Sequence, residues 1–120
     1  MLLIVNGDVF MGWYELKLSN SGQHYFVLKA GNGEGILTSE MYNSRASAEN
    51  GIASVQSNSP ERANYDLKPA VNGKWRFNLK AKNHQIIGVS QMYATESSAE
   101  NGIASVQSNG PSQTVKDLTN

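Results

Sequence analysis

The sequence predicts an α+β fold: two copies of one small unit sharing a single antiparallel sheet, with both helices on one face. Three observations carry that prediction. The segment AENGIASVQSN occurs at Ala48–Asn58 and again, unchanged, at Ala99–Asn109, an offset of 51 residues. On the N-terminal side of each copy, stretches of two-residue alternation are separated by turns bearing Asn and Gly, the pattern of half-buried strands in a meander. The repeated segment itself carries apolar residues at helical spacing behind a hydroxyl cap, so each meander leads into a helix.

The same offset runs back toward the N-terminus without a gap. It lays Phe26–Ala30 over Phe77–Ala81, Met41 and Tyr42 over Met92 and Tyr93, Gly22 over Gly73, and Tyr14–Lys17 over Tyr65–Lys68. Carried forward, it lays Asp66 and Leu67 over Asp117 and Leu118. Residues 12–120 therefore read as one domain of two repeats, 12–63 and 64–120, behind an N-terminal extension, 1–11, expected to be poorly ordered. Two copies are too few for a solenoid, which needs about three. Units of about 50–60 residues are marginal alone, so the halves should share one core, as a covalently joined twofold pair would. The expected state is a monomer with internal pseudo-twofold symmetry.

Trp13–Ser19 alternates, with Tyr14, Leu16 and Leu18 on one side and Trp13, Glu15 and Lys17 on the other. After the turn residues Asn20–Gly22, His24–Ala30 places Phe26, Leu28 and Ala30 on one face. Asn32 and Gly33 favour a tight hairpin, because both tolerate positive φ. Ile36–Met41 is a third strand whose mixed polarity leaves its register open. Ser44 opens the helix, since its hydroxyl can accept from the free amides of the first turn, and Thr95 stands at the same place in the second unit. Ala48, Ile52 and Val55 form the buried stripe; Asn58 is expected to end the helix left-handed, with Pro60 beyond it. Gly51 inside the helix costs about 0.5–1 kcal/mol relative to Ala, which demands a compensating close approach. The expectation is that Gly51 and Gly102 lie near the pseudo-twofold axis, where the two helices pass.

The second unit repeats the order: an Asn72, Gly73 hairpin, then Trp75–Ala81 with Trp75, Phe77 and Leu79 facing away from Arg76, Asn78 and Lys80. Ile86–Gln91, a helix over Thr95–Asn109 and a closing strand Thr114–Leu118 follow. Tyr65–Ala70 both follows the first helix and begins the second meander, giving seven strands. The predicted core is Tyr14, Leu16, Phe26, Leu28, Ile52, Val55, Leu67, Phe77, Leu79, Ile103 and Val106.

The chain has 10 basic and 10 acidic residues and no cysteine. Zero net charge argues against a general polyanion binder, and the lack of cysteine removes disulfides and thiolate metal sites. Met1–Val5 is apolar but too short to span a bilayer and lacks the basic flank of a signal peptide. A soluble cytoplasmic protein without membrane attachment is expected.

Quoted as they stand, GWYELK, YFVLKAGNGEGILTSEMY, AENGIASVQSN and NLKAKNHQIIGVSQMYA resemble the YegP-like family of uncharacterised small bacterial proteins, built from one or two copies of a domain of unknown function. The resemblance runs from Gly12 to the C-terminus. It implies a β-β-β-α-β unit, two of which share one antiparallel sheet and exchange their last strands. It implies no activity and so assigns no catalytic residue.

The candidate sites are few. His24 and His84 fall on Trp75 and Gly33 under the offset, and without clustered ligands they are read as structural or exposed rather than metal-binding. Glu49 and Glu100 recur; they would either complement the helix dipole or pair across the axis as an acid and base. The repeated serines lie outside any nucleophile elbow, and Asn32–Gly35 lacks the lysine of a phosphate loop. No metal or cofactor is expected. The best binding feature is the sheet face opposite the helices, which would present Trp13, Lys17, Tyr25, Lys29, Arg76 and Lys80. The leading expectation is a non-enzymatic module that binds a protein or peptide there or at a sheet edge. The alternative is RNA binding, with aromatics stacking bases and cations holding phosphates; an enzyme comes third.

Overall fold

In the computed structural model, which describes residues 11–119, the alternating stretches form two antiparallel meanders. The first comprises β1 (Trp13–Leu18), β2 (His24–Lys29) and β3 (Gly35–Thr38), followed by α1 (Arg45–Asn58). The second comprises β4 (Tyr65–Pro69), β5 (Trp75–Lys80) and β6 (Ile86–Val89), followed by α2 (Glu96–Asn109) and the closing strand β7 (Val115–Asp117). All seven strands join one sheet in the order β4-β5-β6-β3-β2-β1-β7. The expected behaviour of the first ten residues lies outside the described residues.

The halves meet where β3 pairs antiparallel with β6, Thr38 opposite Val89. These two residues are themselves repeat equivalents, because 89 − 38 = 51, so the pseudo-twofold axis passes through the pair. Each helix lies across this join, α1 contacting β2 and also β5 and β6, α2 contacting β5 and β4 and also β3 and β2. Hydroxyl caps start both helices: Ser44 accepts from the Ser47 amide and Thr95 from the Ser98 amide.

One feature of the sheet departs from expectation. It is mixed rather than antiparallel throughout, since β7 runs parallel to β1, with Tyr14, Glu15 and Leu16 opposite Val115, Lys116 and Asp117. The reason lies at the end of α2, where the Gly12 amide donates to Asn109 Oδ1 at 2.7 Å and Ser112 Oγ donates to the Gly12 carbonyl at 2.6 Å. β1 and β7 thus leave the same point, and two strands leaving one end run the same way.

Ten of the eleven predicted core residues are buried, Tyr14, Phe26, Leu28, Val55, Phe77, Leu79, Ile103 and Val106 completely. Leu67 is only partly buried, packed against the core from β4. Ile36, Leu37 and Ile87 join that core because β3 and β6 are central strands. In each half an aromatic trio repeats: Tyr14 meets Phe26 edge-on at 5.7 Å and Tyr42 stacks on Phe26 at 6.3 Å, while Tyr65, Phe77 and Tyr93 match them at 5.7 and 6.1 Å.

The helical glycines have a different cause from the one expected. A Cβ at Gly51 would lie 2.8 Å from Tyr42 Cζ, and one at Gly102 would lie 2.6 Å from Tyr93 Cζ. The ring of the same unit's tyrosine, not the opposite helix, requires the missing side chain. Asn58 and Asn109 do not turn left-handed either; the following residues stay right-handed, Ser59 at φ −64° and Gly110 at φ −56°. The asparagine amides instead bond back to the Ser54 and Ser105 carbonyls, both at 2.8 Å. Each helix end is then tied to the first strand of a meander: Tyr14 Oη donates to the Gly110 carbonyl at 2.6 Å, and Tyr65 Oη to the Ser59 carbonyl at 2.7 Å. Burial pushes both phenol pKa values up, so both remain donors.

The glycines at the axis are Gly88 and Gly110. A Cβ on Gly88 would lie 2.6 Å from Leu37 Cγ, and one on Gly110 would collide with the Ser59 side chain. Leu37 and Gly88 are repeat equivalents (88 − 37 = 51), and so are Ser59 and Gly110 (110 − 59 = 51). At both places one half supplies a side chain and the other supplies the space. Gly88→Leu should therefore destabilise by about 1–3 kcal/mol through overpacking, and Leu37→Gly by at least about 2–5 kcal/mol through the cavity. The exchange Leu37→Gly with Gly88→Leu should recover about 1 kcal/mol or more over the sum of the two; urea unfolding of the four proteins measures this, and strict additivity would contradict it.

Candidate functional site

Tyr14, Leu16, Phe26, Leu28, Phe77 and Leu79 point under the helices, so their neighbours along each strand project from the other face. Trp13, Lys17, Tyr25, Lys29, Arg76 and Lys80 all fall on that open face, as do Glu15, Asp66 and Lys68. They do not converge on one point. They sort into two clusters, each centred on a carboxylate.

In the first cluster, Trp13 Nε1 donates to Glu15 Oε2 at 3.0 Å, and Glu15 Oε1 lies 3.5 Å from Lys17 Nζ and 3.9 Å from Lys29 Nζ. Lys116 of β7 places its ammonium 4.2 Å from the centre of the Trp13 ring, a cation–π contact. In the second, Asp66 Oδ2 lies 3.0 Å from Lys68 Nζ and 3.5 Å from Lys80 Nζ. The offset maps one cluster onto the other: Glu15 to Asp66, Lys17 to Lys68, Lys29 to Lys80. The indole hydrogen bond, with the lysines adding, lowers the Glu15 pKa, and the Lys68 hydrogen bond leads in lowering that of Asp66. Both carboxylates stay ionised and offset the cations around them.

The clusters lie on β1/β2 and on β4/β5, with β3 and β6 between them. Tyr25 stands opposite Lys17, half-buried. Arg76 stands opposite Lys68, exposed and without an ion pair among the described residues. An open groove beside the second cluster is lined by Asp66, Lys80, Lys82 and His84.

Glu49 and Glu100 are not a couple. Glu49 pairs with Arg45 at 3.4 Å and Glu100 with Arg62 at 2.9 Å, all four exposed. Neither lies in a first helical turn, where Glu96 of α2 stands alone. His24 sits at the start of β2 with its Nδ1 buried and without a hydrogen-bond partner among the described residues. His84 is an exposed turn residue at φ 70°, at the place where the first unit has Gly33 at φ 88°. Among the described residues no three His, Cys, Asp or Glu gather as a metal site would require.

A clasp that the sequence did not announce holds β7 down. Arg45 of α1 bonds the Asp117 carboxylate and reaches Thr119 Oγ1 at 3.3 Å. Thr119 donates its amide to Asp117 Oδ1 at 3.0 Å and its hydroxyl to the same oxygen at 2.6 Å. These hydrogen bonds, Thr119 first, bring the Asp117 pKa down to about 2.

A sheet of two fused meanders with charged clusters on its open face defines a small α+β repeat protein, and comparison with known proteins agrees. The family described as a domain of unknown function, DUF1508, matches twice in tandem, at residues 19–66 and 70–117. The UPF0339 protein YegP of Shigella flexneri and that of Escherichia coli K12 are each 68% identical over 108 residues, covering 90% of this chain and 98% of theirs. The solution NMR structure of the E. coli protein of unknown function yegP superposes with a TM-score of 0.87 at 66% identity, covering 92% of this chain and 95% of that one. A second NMR structure, a UPF0339 protein of Shewanella oneidensis, gives 0.85 at 59% identity over 90% and 92% of the two chains. The chain belongs to this tandem DUF1508 family, whose named relatives here carry no assigned activity.

The Asp117 clasp gives a pH prediction. Its folded pKa, about 2, lies below the ordinary aspartate value, so its stabilising effect is present above about pH 4 and is lost as pH falls toward about 2. Amide exchange should show Lys116–Leu118 losing protection across that window before β2, β3, β5 and β6 do. Asp117→Asn should reproduce the loss at neutral pH.

Proposed function

We propose that this chain is a non-enzymatic interaction module of the cytoplasm that docks a protein or peptide partner on the open face of its sheet, without a cofactor. What supports this reading is the charge pattern of that face. Cation and carboxylate alternate in two copies of one arrangement around Glu15 and Asp66, and such mixed-sign patterning complements another protein's surface. A phosphate backbone rewards unopposed cations instead. Four of the lysines on this face already contact a carboxylate, and Lys116 stacks on Trp13, the ring best suited to stack a base. No helix of the described residues is long and apolar enough to cross a membrane.

RNA binding remains the second reading, carried by Tyr25 and Arg76. The double variant Tyr25→Ala, Arg76→Glu separates the two. A pull-down from native lysate, with protein and nucleotide detection, should recover a protein with the wild type and lose it with the variant, while single-stranded RNA is retained weakly and alike by both. Steeply salt-dependent RNA retention, lost in the variant, would overturn the protein-docking reading.

A further inference from the structure

The internal twofold makes one edge of the sheet a template for the other. On one side β7 covers the outer edge of β1: the Tyr14 amide donates to the Thr114 carbonyl at 2.9 Å, and the Leu118 amide to the Leu16 carbonyl at 2.8 Å. On the other side β4 is the last strand among the described residues. The offset carries Tyr14 to Tyr65 and Leu16 to Leu67, and β4 pairs with β5 in the register that β1 keeps with β2, Tyr65 opposite Leu79 as Tyr14 is opposite Leu28.

The open edge offers definite groups. The Phe77 amide donates to Ser90 Oγ and its carbonyl accepts from the Ser90 amide, each at 2.9 Å, so Phe77 turns its backbone toward β6. Leu67, opposite Phe77, therefore turns its own amide and carbonyl outward. The Tyr65 amide is already taken by the Arg62 carbonyl, much as Thr114 takes the Tyr14 amide. Pro69, equivalent to Leu18, has no amide to offer and ends the slot. What remains accommodates a strand about as short as β7.

Charge distinguishes the two edges. Arg45 holds Asp117 of β7, and the offset puts Glu96 where Arg45 stands. Glu96 is exposed and forms no ion pair among the described residues. A strand seated on β4 as β7 sits on β1 would bring its residue equivalent to Asp117 toward a carboxylate.

We propose that the outer edge of β4 binds an extended peptide segment, added parallel to the strand, that carries lysine or arginine opposite Glu96 and apolar residues beside Tyr65 and after the basic position. The recognition is backbone pairing with Leu67 plus one charge contact. It concerns the edge of the sheet rather than its face, so either proposal can fail without the other.

The test uses two synthetic peptides and the full chain. One copies residues 112–119, SQTVKDLT; the other is the same with Asp117→Lys. Amide NMR titration should show shifts centred on Asp66–Lys68 and about threefold tighter binding of the lysine peptide, the scale of one exposed charge contact. Glu96→Arg should reverse that order, whereas Tyr25→Ala on the open face should leave both affinities unchanged. Absence of shifts at β4, an order insensitive to Glu96→Arg, or shifts confined to β1 and β7 would overturn the proposal. So would concentration-dependent shifts at β4 without peptide, because a second copy of the chain would then be the occupant.

Discussion

The approach of the two halves at their common axis constrains everything else in the molecule. Leu37 lies over Gly88, and Ser59 lies against Gly110, and each contact joins residues that the repeat makes equivalent. In an association of two identical units, each such position would meet itself, and two leucines or two serines could not occupy the space that one now fills. A single chain escapes that restriction because its halves can differ. Here both differences run the same way, with the first half bulky and the second open. The fused halves are complementary rather than interchangeable, and they share one core.

From that axis the path of the chain follows. Each helix crosses the join and delivers its last carbonyls to the tyrosine that begins a meander: α1 to Tyr65, the next residue group in the chain, and α2 back to Tyr14. The first crossing is covalent and short. The second is not covalent: hydrogen bonds among Gly12, Asn109 and Ser112 close it together with the Tyr14 contact, and the remaining residues run on as β7. That difference in connectivity leaves one sheet edge covered and the other, among the described residues, open, although the strands beneath are alike.

The open face has the same logic on a smaller scale. Glu15 and Asp66 each gather the lysines of their own half, so duplication yielded two sets of charges rather than one enlarged patch. They stay apart because the central strands β3 and β6 lie between them in the sheet. The result is a face with alternating sign at both ends rather than one field of a single sign.

Much of this was legible in the residues. The offset, the alternation in Trp13–Leu18 and Trp75–Lys80, and the hydroxyls at Ser44 and Thr95 identify strands, helices and their order, because those signals act over a few residues or are copied outright. The same period of two sets six residues on the face away from the helices, and ten of the eleven core residues followed. The parallel course of β7, the tyrosine rings that require Gly51 and Gly102, the clasp of Arg45 on Asp117 and the contacts at the axis were not legible. Each joins residues far apart in sequence, and no local pattern states which distant atom will fill a given space. The chain alone thus determined the elements and the existence of two equivalent halves; only the packed tertiary structure decided how those halves differ, because equivalence ends where they compete for the same volume.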